Sequence, residues 1–237
     1  MVNPKVFQVD RVHGGIRFFL PFVMGIAYII GVPLLQALLS GVLGLLGQAE
    51  SAALPLACVL ALPTALVVMV GTERWMLAFW PSGREVHIDA GRQVQFWSRG
   101  NIVQDVDLKV GAEPLIWYFL MGSYPRGGRE RHIDGKWYCV ACQVQAEGSR
   151  VIVFTFMPPT EAKALAKKEE ATLLNMVDLY GEKSSRSRGA ALERPKLPTA
   201  LVTGEDGRFW LAERNRWLEG LEVYPDEFEE ILELVQR

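Results

Sequence analysis

Two long stretches of this chain carry no charge: residues 18–49 and, after the single Glu50, residues 51–72. A helix crossing the hydrocarbon core of a bilayer needs about 20 mostly apolar residues, and each stretch is long enough. A buried helix of a soluble protein rarely stays wholly apolar for so long. A cleaved signal peptide has a shorter apolar region and is not followed by a second span. The pattern therefore predicts a hairpin of two transmembrane helices, residues 18–74, retained in the mature protein and preceded by a short segment, 1–17.

Basic residues flank this pair on the outside only. Lys5, Arg11 and Arg17 precede the first span, Arg74 and Arg84 follow the second, and the connecting residues 43–53 hold Glu50 and no Lys or Arg. The positive-inside tendency then places both termini in the cytoplasm of a multi-pass protein of the inner (plasma) membrane. Phe18, Phe19, Trp75, Phe79 and Trp80 fall at the cytoplasmic interface, where amphipathic rings are favoured.

Within the spans, Ala53, Ala57, Ala61 and Ala65 recur every four residues, and Ala27 with Gly31 and Ser40 with Gly44 share that spacing. Helices in lipid associate through close approach of small side chains. These residues are the expected helix-packing face, either between the two spans or toward a further helix. Pro33 and Pro63 are interior and should kink their helices. No Asp, Glu, Lys, Arg or His lies within either span, which argues against a pump or transporter, whose paths are built from ionisable groups.

After Thr72 the pattern alternates. Val86 and Ile88, then Val94 and Phe96, point inward on two strands joined through Ala90-Gly91. Further strands are expected over 103–108, 115–121, 136–146 and 151–156, with Tyr138, Val140, Cys142 and Val144 on one face. A helix should follow from an N-cap at Thr160, with Ala162, Leu165, Ala166, Leu173, Met176, Val177 and Tyr180 on its apolar stripe and Gly181 as its stop. Residues 75–181 thus read as an α+β, strand-rich cytoplasmic domain: a curved antiparallel sheet or partial barrel closed by a helix. Residues 182–200 are a basic linker. Residues 201–237 read as a β-hairpin about Gly204-Glu-Asp-Gly207 plus a helix from Pro225, whose Phe228, Ile231, Leu232 and Val235 must dock on the domain or on a partner.

Candidate chemistry is sparse. Cys139 and Cys142 form a C-x-x-C pattern, but residues three apart on a strand face opposite ways, so a redox pair or zinc site is disfavoured against core packing. Three histidines support no Ser/His/Asp arrangement. Arg126, Arg129 and Arg131 lie in a glycine-bearing loop and are candidates for contact with lipid phosphates or an acidic partner. The net charge of −2 points to no nucleic acid. No cofactor or metal is expected, and no enzyme activity.

The segment Gly83-Arg84-Glu85-Val86-His87-Ile88-Asp89, followed by Arg92-Gln93-Val94-Gln95-Phe96, resembles the early hairpin of bacterial membrane proteins with a two-helix transmembrane hairpin and a PH-like domain. Assembly factors of photosynthetic complexes share that layout. The resemblance implies a PH-like fold and a non-catalytic structural or assembly subunit, working with other integral membrane proteins and with lipids. A lipid-binding or signalling module and a thiol-dependent membrane enzyme are the alternatives.

Overall fold

The computed structural model describes residues 4–12, 14–45, 52–89, 93–108, 114–123, 133–146, 148–175 and 205–236. The chain divides into two compact units: Val12–Pro81, and Met1–Arg11 together with Ser82–Arg237. The described residues before the apolar stretches and those after them thus fall in one unit.

The first unit consists of two helices, α1 (Gly14–Leu45) and α2 (Ala53–Phe79). Both are long and apolar enough to cross a bilayer. Pro21 and Pro33 are accommodated inside α1 and Pro63 inside α2, each helix remaining a single element.

The second unit opens with β1 (Lys5–Gln8). After the helices come β2 (Arg84–Ile88), β3 (Gln93–Ser98) and β4 (Asn101–Asp107), making one antiparallel sheet in the order β1-β2-β3-β4. A second sheet is built on β5 (Leu115–Leu120), β6 (Tyr138–Ala146) and β7 (Ser149–Met157), which are antiparallel neighbours. Two short parallel strands complete its edges: β8 (Thr172–Leu173) beside β5, and β9 (Leu221–Glu222) beside β7. Among the described residues three helices accompany them: α3 (Pro159–Lys168), α4 (Glu205–Glu219) and α5 (Pro225–Gln236).

Two apolar cores follow from the alternation of β6 and β7. On one face, Val140, Cys142, Val144, Val151, Val153 and Met157 pack with Val86, Ile88, Val94, Phe96 and Val106 of the first sheet. Phe228, Ile231, Leu232 and Val235 of α5 join the same core, as does Leu165 of α3. The C-terminal apolar stripe, expected to need either an internal or a partner surface, is therefore buried within its own unit. On the opposite face Trp117, Phe119, Cys139, Ala141, Phe154 and Phe156 form a second core covered by Trp210 and Ala212 of α4.

Three expectations are corrected here. The strands form two sheets that do not close into a barrel. The helix expected to run to Gly181 stops at Lys168, with Pro158 rather than Thr160 as its N-cap and Pro159 in the first turn. Its stop is a left-handed Glu170, φ +49°, with the Ala171 amide donating to the Ala166 carbonyl in the manner of a Schellman cap. The chain then returns as β8, which leaves Leu173 exposed and Leu174 in the second core. Met176, Val177, Tyr180, Gly181 and the linker 182–200 lie outside the described residues. Lastly, of the hairpin expected about 204–207, residues 205–207 instead begin helix α4, while 201–204 lie outside the described residues. The apolar face of α4 carries a buried carboxylate and guanidinium, which hides its helical period from a hydropathy reading.

Candidate functional site

The two helices are packed with small residues inward. Ala53, Ala57 and Ala61 are 0% exposed and Ala65 is 1% exposed. A Cβ added to Gly31 would lie 3.9 Å from that of Ala61, so α1 approaches the seam closely where it has no side chain. The alanine seam, which the spacing offers equally to a further helix, is filled by the hairpin itself. Ala27, Gly31 and Ser40 are half-buried, while Gly44 is exposed at the far end of α1.

Outward, both helices present large apolar side chains: Ile26, Ile29, Leu34 and Leu38 of α1, and Leu54, Val59, Leu62 and Val67 of α2. The Thr64 and Thr72 hydroxyls donate to the Leu60 and Val68 carbonyls at 2.9 and 2.8 Å. Such back-bonding satisfies a hydroxyl within its own helix, as an apolar solvent requires. Exposed aromatics gather where the hairpin begins and ends. Phe19 meets Trp80 edge-on at 5.8 Å, Phe18 lies 5.1 Å from Phe22, and Trp75 lies 5.3 Å from Phe79. Rings at one end of an apolar pair suit the headgroup layer of a bilayer.

In the second unit, the two segments that lead to and from the hairpin are fastened to each other and to the C-terminal region. β1 pairs antiparallel with β2, Gln8 opposite Glu85. Beyond β1 the Val9 amide donates to the Arg84 carbonyl, and the Ser82 hydroxyl donates to the Val9 carbonyl. Asp10 takes a left-handed conformation, φ +52°, which Asp tolerates better than most residues. In that pose its amide donates to the Glu222 carbonyl at 2.8 Å. Its carboxylate accepts from the Glu222 amide at 3.0 Å and from Arg84 Nη1 at 2.6 Å. Arg11 pairs with Glu227 and lies 4.7 Å from the centre of the Tyr224 ring, and Lys5 pairs with Glu230. Three of the flanking cations behind the orientation argument thus have carboxylate partners in the folded unit. Sequence alone gives no signal for this clasp, because its partners are some 70 to 220 positions apart.

The cysteines lie apart in just the way strand alternation requires. Cys142 belongs to the first core and Cys139 to the second, on opposite faces of β6. Burial, and after it the charge of Glu169, push the Cys142 thiol from an ordinary 9.0 up to about 12. A thiol so shifted is protonated at neutral pH and is a poor nucleophile or metal ligand. Among the described residues no group of three or more His, Cys, Asp or Glu side chains is placed to hold a metal ion. Arg126, Arg129 and Arg131 lie outside the described residues. His87 stacks on Trp97 at 5.0 Å and meets Glu85 at 2.8 Å on a half-buried sheet surface.

One charged constellation is absent from the sequence reading. Glu213 and Arg216, one helical turn apart on α4, are 0% and 2% exposed. Arg216 Nε and Nη2 each donate to Glu213 at 2.8 Å, and Trp117 Nε1 donates to the same carboxylate at 2.8 Å. The guanidinium lies 4.6 Å from the Phe154 ring centre and 5.4 Å from that of Phe119. Gly220 is required beside it, since a Cβ there would lie 2.5 Å from the Arg216 carbonyl oxygen. The bidentate geometry and the aromatic faces are what a buried arginine needs in place of water.

Comparison with protein-family models, with curated proteins and with solved structures finds no match.

Proposed function

We propose that this chain is a non-catalytic, membrane-anchored structural or assembly subunit of a complex of integral membrane proteins. In this reading the hairpin spans the inner membrane and the α+β unit stands at its cytoplasmic surface with both termini. The observation that carries the proposal is the inversion of the hairpin: small residues fill the seam while leucine, isoleucine and valine face outward along both helices. Such a surface suits lipid or a neighbouring helix, and the internal seam leaves the outer faces as the ones a partner helix would meet. The β1–β2 pairing supports the topology. Both flanks of the hairpin enter one sheet, so both belong on the same side of any bilayer that the pair crosses. Opposite-facing core cysteines, one with a raised pKa, weigh against a thiol-dependent enzyme. Kinship with the PH-like assembly factors of photosynthetic complexes belongs to the same proposal, on the strength of the hairpin and the strands that follow it.

The test is extraction from native membranes in mild detergent through a C-terminal tag, followed by native electrophoresis and mass spectrometry. The expected result is stoichiometric recovery of at least one other integral membrane protein. A chain that runs alone, accompanied only by lipid, would overturn the subunit reading.

A further inference from the structure

We propose that the β3–β4 turn, Arg99-Gly100 with Ile102 and Val103 just beyond it, is a lipid-contact site seated in the headgroup layer of the bilayer. The inference rests on the proposed membrane anchoring and adds to it a second, non-helical point of attachment.

Strand register fixes where the turn lies. Arg84 is opposite Ser98 on β3, and Ser98 is opposite Asn101 on β4, so the turn closes the sheet at the end where β2 begins. That is also the end where β1 finishes, Gln8 lying opposite Glu85. The chain leaves this unit after Arg11 and re-enters it at Ser82, so both connections to the hairpin emerge at the same end of the sheet as the turn. The link is direct: the Arg99 amide donates to the Gly83 carbonyl at 2.7 Å, two residues from the end of the hairpin unit at Pro81. Gly83, Arg99 and Gly100 all take left-handed conformations, with φ of +68°, +51° and +79°, which shapes a tight corner there.

The surface of this corner is apolar where a water-facing strand would be polar. Ile102 is 48% exposed and Val103 is 54% exposed. Neighbours on a regular strand point to opposite faces, and one of the two would be expected inward. The register shift opposite Phe96 and Trp97 explains it: Ile102 pairs with Trp97 and Gln104 with Phe96, leaving Val103 as the extra residue of a bulge. At the other end of the same strand Val106 is fully buried. An edge strand that exposes two of its three apolar residues, both beside the connections to the hairpin, with an exposed Arg99 at the tip, matches a headgroup layer in both respects. Phosphates meet the guanidinium and the upper acyl region meets the side chains.

The test uses the full chain in liposomes with Cys58→Ala, carrying an environment-sensitive fluorophore on a cysteine introduced at one site per sample. The sites are Asn101→Cys at the turn, Asp107→Cys at the far end of β4, and Leu62→Cys in α2. Quenching by lipids with a shallow spin label is expected to be at least threefold stronger at 101 than at 107, which lies about 20 Å further along the strand. Adding Ile102→Asp and Val103→Asp should reduce quenching at 101 by half or more. Strong quenching at 62 by deep-labelled lipids with equal quenching at 101 and 107 would overturn the turn as a lipid site. So would quenching at 101 that the double substitution leaves unchanged. Failure of quenching at 62 would instead overturn the membrane anchoring on which the proposal stands.

Discussion

Helix α2 hides four alanines and turns its leucines and valines outward. Helix α4 buries a glutamate and an arginine against one tryptophan and two phenylalanine rings and sends Leu211 to the surface. Each would be a poor design in the other's place. In water, α2 would leave a broad apolar surface exposed, at about 25 cal/mol per Å². In lipid, its neighbours gain nothing from hydrophobicity, so only the closeness of approach along Ala53–Ala65 separates a packed pair from two loose helices. For α4 the interior is the hostile solvent, and its ion pair endures because carboxylate, guanidinium, indole and two phenylalanine rings are mutually arranged. A residue's worth in this chain is set by the medium it faces rather than by its type.

The comparison can be broken most forcefully at Glu213. Replacing it with Leu removes the acceptor for two Arg216 nitrogens and for the Trp117 indole, and should cost about 3–5 kcal/mol of stability, as for one-sided loss of a buried pair. The double variant Glu213→Leu with Arg216→Met should recover most of that loss, since an apolar replacement of both charges is often neutral. Unfolding of the full chain in mild detergent, followed by circular dichroism, separates the two. A single variant as stable as the wild type would show that the pair is not held dry.

In the hairpin the sensitive position is the small one. Ala61→Leu forces bulk against Gly31 and should cost about 1–3 kcal/mol, whereas Val67→Leu on the outward face should stay within about 0.5 kcal/mol. Titration of the purified chain with SDS against a mild detergent reads both midpoints. Equal shifts would mean that the seam is no tighter than the outward-facing surface.

The smallest effect concerns Cys142 and is invisible at neutral pH. Its folded pKa is about 12, against an ordinary 9.0 once the chain unfolds. Between those values the unfolded state loses the proton first, so stability is unaffected below pH 9 and falls as pH rises toward 12. Cys142→Val should remove that part of the alkaline sensitivity while leaving stability at pH 7 nearly unchanged. A wild type and variant with the same alkaline transition would show that this thiol is not sealed in the core.

What sequence makes legible here divides along the same line. The two long apolar helices follow from their uncharged lengths; the strands β2, β3, β6 and β7, the burial of Val86, Ile88, Val94 and Phe96, and the apolar stripe of α5 follow from local periodicity, and the structure places them as the period requires. Three features escape it because nothing local announces them. The end of α3 depends on a left-handed glutamate rather than a glycine. The face of α4 is interrupted by the charges that it buries. β1 is only Lys-Val-Phe-Gln, a strand by virtue of partners that arrive after 75 intervening residues. Of the candidate site, the alanine seam is readable from spacing, and the clasp at Asp10 is not.

That early strand bears on the order of events during synthesis. A ribosome completes β1 before either apolar helix exists, and its partner β2 emerges only after both have been made. The first sheet therefore cannot acquire its outer strand until both helices have been made. In the proposed arrangement, a chain that stalled with one crossing would strand Lys5–Gln8 on the opposite side from β2, leaving Asp10 without Arg84 and the unit without its first edge. There, native folding of the α+β unit thereby reports that both crossings have been made, and quality-control proteases would find an open sheet in the chains that failed.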